Sequence, residues 1–326
     1  WGSMKATTPK SGELISAPHS DTTVHLEGPL QSTPVPPGAS VTSLDDDPPT
    51  MGGRYLPQGE IARGGMGVVH EVWDCKLERR LAMKVQLATD GPADEHVARL
   101  EREARVTGQL DYPGVVPVHD VGRAADGRVF FTMRFVDGRG LDQIVPLVRR
   151  GDPKWPLARA VEALIHVCRT VDHAHSRGII HRDLKPSNVM VDRRGGACVI
   201  DWGLARVAGE DAPDPQTPPR IRAQRRDRAS SALTSAGSVL GTPPFMSPEQ
   251  ARGEIERLDE RSDVYALGAM LYQLLTGQVP YVRPGEHPAW HTLVARVLEG
   301  PPRPLAELAP TAPAELIAVC ERAMAR

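Results

Sequence analysis

His181-Arg182-Asp183-Leu184-Lys185-Pro186-Ser187-Asn188 is the stretch from which the rest of this chain is read. It sets one carboxylate, one amine and one amide within six residues, directly after the apolar pair Ile179-Ile180. Those groups can orient a hydroxyl, neutralise a moving phosphoryl group and hold a metal ion. Thirteen residues beyond Asn188 stands Asp201-Trp202-Gly203, a second candidate for a metal ligand. A lone Asp or Asn in a loop is usually a turn residue, so the weight of the octapeptide depends on what surrounds it.

Composition narrows the surroundings. With 326 residues and a net charge of -2, the chain has ample core and no nucleic-acid or membrane footprint. Cys75, Cys168, Cys198 and Cys320 are scattered without a CxxC pair, which argues against a disulfide framework or a zinc site and suits a reducing cytosol. No apolar run reaches the length of a membrane span. The opening Trp1-Gly2-Ser3-Met4 lacks the pattern of a signal peptide. A cytoplasmic protein is expected, with a membrane anchor beyond residue 326 left open.

Residues 1–50 are rich in Pro, Ser, Thr and Gly and lack periodicity, so they read as a disordered tail. Within them Pro34-Val35-Pro36-Pro37 reads as linker before docking motif. Residues 51–326 read as one domain. From 54 to 136 strands dominate (67–74, 81–87 and 128–136), interrupted by a helix over 95–110 that Asp111-Tyr112-Pro113-Gly114 stops. From 137 to 326 helices dominate. One has Pro156 in its first turn and Val161, Leu164, Cys168 and Val171 on one face, closed by Gly178. Another, capped by Ser262 and ended by Gly277, carries Tyr265, Leu267, Met270, Leu271, Leu274 and Leu275 nearly all round and should be buried. Residues 207–239, Pro- and Asp-rich and then Arg-rich, read as a mobile, solvated insertion, with docking of acidic partners as the sharper alternative.

Upstream, Ile61-Ala62-Arg63-Gly64-Gly65-Met66-Gly67-Val68-Val69 is a glycine loop followed by a strand, which excludes the dinucleotide-binding version, where a helix follows. Glycines let backbone N–H groups approach phosphates where a Cβ would intrude. Lys84, in Ala82-Met83-Lys84-Val85, places an amine inside an apolar strand, and Lys76, Lys84, Lys154 and Lys185 are the only lysines beyond residue 50. A buried cation needs an anion. Glu103 is the partner expected; Glu101 is the fallback and would point the other way round the helix.

Together these segments resemble the protein kinases, closest to bacterial Ser/Thr kinases of the eukaryotic-like (Hanks) type with Gly-Gly-Met-Gly loops, Asp-Trp-Gly and Met-Ser-Pro-Glu-Gln, and the resemblance spans 54–326. It implies an α+β, two-lobed protein-kinase fold: a small antiparallel-sheet N-lobe with one helix (54–136) and a larger helical C-lobe (137–326). It implies ATP as phosphoryl donor with Mg2+ as its metal. Asp183 would be the catalytic base and Lys185 would stabilise the transferred γ-phosphoryl. Asn188 and Asp201 would ligate Mg2+ through oxygen. Ala62, Gly64, Gly67, Val69, Ala82, Lys84, Glu103, Met133, Arg134 and Val136 would form the nucleotide site, with Val69 over the adenine. Ala62 stands where the first glycine of the loop is expected, and Trp202 stands for the usual Phe, which should alter how easily that loop flips. His181 and Trp202 are expected to pack, and His119, His166, His173 and His175 show no ligand spacing.

The same resemblance has Thr242 bonding Asp183 and Lys185, Asp263 anchoring the catalytic loop, and Arg182 pairing with an activation-loop phosphate. The acceptors there are Ser230, Ser231, Thr234, Ser235 and Ser238, with Thr234 or Ser238 expected to be autophosphorylated. It implies protein substrates and leaves open a homodimer that phosphorylates itself in trans. The chain is expected to lack the last helix of the domain, leaving Glu249 without its arginine and this form less stable than a longer one. The alternative to an active Ser/Thr kinase is a non-catalytic ATP-binding pseudokinase scaffold.

Overall fold

The alternation in Gly67-Val68-Val69-His70-Glu71-Val72-Trp73-Asp74 becomes a strand that buries every second side chain fully. In the computed structural model, residues 53–64, 67–87, 93–124, 126–207, 241–254 and 257–326 are described, all within the unit Asp45–Arg326. The tail, and all of 207–239 after Val207, lie outside them.

Five strands form one antiparallel sheet: β1 (Tyr55–Gly64), β2 (Gly67–Asp74), β3 (Arg79–Val85), β4 (Val118–Arg123) and β5 (Val129–Arg134). Their order is β1-β2-β3-β5-β4. Tyr55, Val72, Leu81, Met83, Val85 and Phe130 fill one face. On the other, Val129 and Phe131 meet Leu100 and Ala104 of helix α1 (Ala93–Gln109). This is the small sheet with a single helix that the sequence predicts.

After β5 the chain enters a second, three-stranded sheet of β6 (Gly138–Gly140), β8 (Val189–Asp192) and β9 (Ala197–Val199), in the order β6-β8-β9. A Cβ on Gly138 would lie 2.2 Å from the Val191 carbonyl oxygen, so only glycine lets β6 approach β8. Helices make up most of the rest: α2 (Leu141–Arg149), α3 (Leu157–His175), α4 (Pro248–Ala251), α5 (Glu260–Thr276), α6 (Trp290–Glu299), α7 (Leu305–Leu308) and α8 (Ala314–Ala323). The two-residue strands β7 (Ile179–Ile180) and β10 (Arg206–Val207) pair with each other. The large core gathers α2, α3 and α5 around Ile144, Val167, Ala269 and Met270.

Three local expectations need correcting. The buried face of α3 is Ala160, Ala163, Leu164, Val167, Thr170, Val171 and Ala174, while Cys168 is exposed and Val161 only partly buried. Alanines, which bring the neighbouring elements close, set that face. Pro156 sits just outside α3, at its N-cap, with extended backbone. The cap of α5 is Asp259, whose side chain accepts from the Arg261 N–H; Ser262 is already inside the first turn and buried. Gly277 ends α5 in the left-handed region (φ 73), as predicted. Among the described residues no helix is long and apolar enough to cross a membrane, and no group of three His, Cys, Asp or Glu is placed to hold a metal.

Candidate active site

Register brings the glycine-loop and strand residues to one face. Ala62 pairs with Val69, Val69 with Lys84, Ala82 with Met133 and Gly64 with Gly67. Directly opposed residues share a face, as do residues two apart in one strand. Ala62, Gly64, Gly67, Val69, Ala82, Lys84 and Met133 therefore line the same side. Gly67 has a structural duty as well: a Cβ there would lie 2.5 Å from the Val85 carbonyl oxygen, whereas at Gly64 it would meet nothing within 4 Å. Arg134 departs from this group. Its side chain lies on the opposite face, across from Leu81, and its N–H bonds to the Pro117 carbonyl. Val136 follows in the connection to β6, partly buried.

Lys84 reaches across to α1, donating to both carboxylate oxygens of Glu103 at 2.7 Å, and to Asp201 at 3.4 Å. Glu101 faces outward and pairs with Arg123. One ammonium thus serves two carboxylates. Glu103 is the deeper (4% exposed against 39% for Asp201). Burial, with Asp201 adding repulsion, pushes the Glu103 carboxyl up to about 7 despite Lys84. Burial works against ionisation of Asp201 too, but Lys84, His181, the Gly203 N–H and Lys185 outweigh it and hold its carboxyl below the ordinary range. Lys84 stays firmly protonated, its burial more than offset by the two carboxylates.

Below this cluster the octapeptide is tightly tied. Lys185 Nζ donates to Asp183 Oδ2 at 2.7 Å and to Thr242 Oγ1 at 3.0 Å, and Thr242 Oγ1 donates to Asp183 Oδ1 at 2.8 Å. Both carboxylate oxygens of Asp183 are thereby oriented. Asn188, buried on a 3-10 turn (Pro186–Asn188), donates to the Asp183 carbonyl at 2.9 Å. The Asn188 carbonyl in turn accepts from the Ile200 N–H at 2.9 Å, which brings the Asp201 loop alongside.

Arg182 and Asp201 both sit in the left-handed region (φ 68 and 64), where residues with a Cβ are strained. At Arg182 the neighbours hold the strain in place. Asp263, buried in α5, accepts from the His181 N–H at 2.8 Å and the Arg182 N–H at 2.9 Å, and His175 lies 2.8 Å from the same carboxylate. Gln250 donates to the Arg182 carbonyl at 2.7 Å while its Oε1 accepts from the Ser247 N–H. Gln250 and His175 were missed from sequence. The signal for Gln250 was present, since Ser247-Pro248-Glu249-Gln250 has the spacing of a capping box. His181 and Trp202 pack as predicted, both buried with ring centroids 4.7 Å apart. Glu249 is partly buried rather than orphaned, accepting from Ser262 Oγ at 2.9 Å. The predicted phosphate acceptors at 230–238 lie outside the described residues.

Comparison with known proteins adds a family. Residues 55–308 match the protein kinase domain. The chain is similar to the serine/threonine-protein kinase pkn3 of Myxococcus xanthus, with 38% identity over 71% of this chain and 39% of that protein. It is 37% identical to the DNA damage-responsive serine/threonine-protein kinase RqkA of Deinococcus radiodurans, over 71% of this chain and 31% of that one. With PknB of Mycobacterium tuberculosis the identity is 34%, over 72% and 34% respectively. The chain thus spans about two fifths or less of the length of these relatives.

Proposed function

This chain belongs to the protein kinase domain family, and from that membership we propose that it transfers the ATP γ-phosphoryl group to Ser and Thr hydroxyls of proteins, its own activation segment included. The observation that carries the reading is the closed triangle of Asp183, Lys185 and Thr242, which presents one oriented carboxylate beside one fixed cation. In this reading Asp183 accepts or orients the proton of the attacking hydroxyl. Lys185 offsets charge on the phosphoryl group as it moves. Thr242 fixes the geometry of both. Lys84, braced by Glu103, would hold the nucleotide phosphates, against the glycine-loop face of the sheet.

Family membership implies ATP and Mg2+. Asn188 and Asp201 fit a hard cation: both offer oxygen, on neighbouring loops, and Asp201 remains ionised. They would hold Mg2+, which would offset the negative charge of the nucleotide phosphates. We assign the tail 1–50 and the kinase domain 51–326 on the same footing.

Radiolabelled ATP, a generic protein substrate, wild type and Asp183→Asn form the test. Transfer by wild type, lost in Asp183→Asn, is expected. If both proteins bind Mg·ATP and neither transfers, the chain is a scaffold; transfer by Asp183→Asn at the wild-type rate would overturn the role given to Asp183.

A further inference from the structure

Arg134 ends β5, and residues 135–137 then carry the chain out of the first sheet into β6. Its side chain is largely exposed, but the tip of the guanidinium turns inward. Nη2 donates to Sγ of Cys198 at 2.8 Å, and Cys198 is a buried residue of β9. The thiol passes the bond on, donating toward the Pro113 carbonyl at 3.8 Å. Pro113 belongs to the connection between α1 and β4. One cysteine therefore sits between three segments: the end of the first sheet, the α1–β4 connection and the second sheet.

Backbone bonds knit the same segments. The Val199 N–H donates to the Gly114 carbonyl at 2.8 Å, Val115 and Val199 form a parallel bridge, and the Arg134 N–H donates to Pro117. Each segment leads to the site. β9 runs on to Asp201 two residues later, α1 carries Glu103, and β5 carries Met133 on the pocket face. Within this knot the Arg134–Cys198 contact is the charged one: it brings a guanidinium otherwise open to solvent onto a buried thiol, a weak acceptor whose bond the positive charge strengthens. Burial keeps the thiol protonated despite the guanidinium, so it can accept from arginine and donate to the carbonyl together.

We propose that Arg134 and Cys198 are positioning residues that tie the strand leading into the inter-sheet connection to β9, limiting opening of the nucleotide cleft and slowing nucleotide release. The tie rests on the kinase reading above and adds to it a determinant of nucleotide residence that lies behind the pocket. Rotation of the first sheet against the second about residues 135–137 moves Arg134 relative to Cys198, so opening must strain or break the contact.

The test is a double-mutant cycle with Arg134→Met, Cys198→Val and both, reading dissociation of a fluorescent ADP analogue by stopped flow, with Cys198→Ser as the conservative control. Each single substitution should speed dissociation about five- to tenfold, the upper figure matching about 1.4 kcal/mol, a plausible worth for one charged hydrogen bond. The double variant should release no faster than the faster single. Cys198→Ser, which can still accept and donate, should stay within about twofold of wild type. For Cys198→Val, KM for ATP should rise without a fall in kcat, a split that general destabilisation would not give. Singles that leave release unchanged, effects that multiply in the double variant, or a serine variant as fast as the valine one would each overturn the tie. If Cys198→Val fails to fold, comparing Cys198→Ser with Cys198→Ala decides by the same criterion. A wild type that binds no nucleotide would sink the kinase reading itself, while nucleotide binding without coupling sinks only the tie.

Discussion

Lys84 faces Glu103 and Asp201 with a single positive charge, and the shortage has a direction. The buried Glu103, raised to about 7 from an ordinary 4.5, holds a proton in the folded state that the unfolded chain releases between those values. Its contribution to stability is therefore complete below about 4.5 and lost as pH rises through about 7. Without nucleotide, the stability of wild type relative to Glu103→Gln should fall between pH 5 and pH 8; a constant difference in urea unfolding across that range would refute the assignment. Asp201 runs the other way, its carboxyl depressed and its contribution lost only in acid. Gln250 has a different role. Its amide is the clamp on the carbonyl of a residue held at φ 68, so Gln250→Ala should cost about 1–3 kcal/mol in chemical denaturation and lower kcat more than it raises KM. The roles of Asp183, Lys84 and Glu103 could be read in advance because charged side chains in apolar or motif settings stand out. His175 could not, because it acts through Asp263; for Gln250 the capping-box spacing foreshadowed the bond to Ser247 but not the hold on the Arg182 carbonyl.

At the level of elements, Gly64 and Gly67 look alike in sequence and differ in the fold. Gly67→Ala would drive a Cβ against the Val85 carbonyl and should destabilise by about 1–3 kcal/mol, whereas Gly64→Ala enters open space and should leave the melting temperature within a degree or two. Equal effects on unfolding would show that the β2–β3 approach is looser than the geometry states. The strand pattern at 67–74 was legible from period alone, since one alternating face must be buried. The buried face of α3 was not. Apolar size pointed to Val161 and Cys168, but close helix packing selected Ala160, Ala163 and Ala174. The cap of α5 slipped by three residues for a related reason: Asp259 and Ser262 are both good caps, and the second is spent on Glu249. Asp259→Ala should cost about 1 kcal/mol by urea unfolding, through the lost bond to the Arg261 N–H.

For the whole molecule, chain order alone announced a small sheet followed by helices, and the observed order β1-β2-β3-β5-β4 with one helix agrees. What order could not give is how distant segments meet. Thr242 comes to Asp183 across 59 positions, Gln250 to Arg182 across 68, and Lys84 to Asp201 across 117. Contacts of that span depend on packing of both sheets and α5, and only motif resemblance foreshadowed some of them. The triangle that these contacts close is the centre of the account, because it converts three ordinary side chains into an oriented base and cation. Its decisive test is single-turnover phosphoryl transfer from Mg·ATP to a protein substrate by wild type, Asp183→Asn, Lys185→Met, Thr242→Val and the Asp183→Asn/Thr242→Val pair, with nucleotide binding measured in parallel. Asp183→Asn should lose about 10²- to 10⁴-fold in rate at nearly unchanged nucleotide affinity, and adding Thr242→Val to it should cost little more. Transfer by Asp183→Asn at the wild-type rate, or losses in the pair that simply multiply, would contradict it.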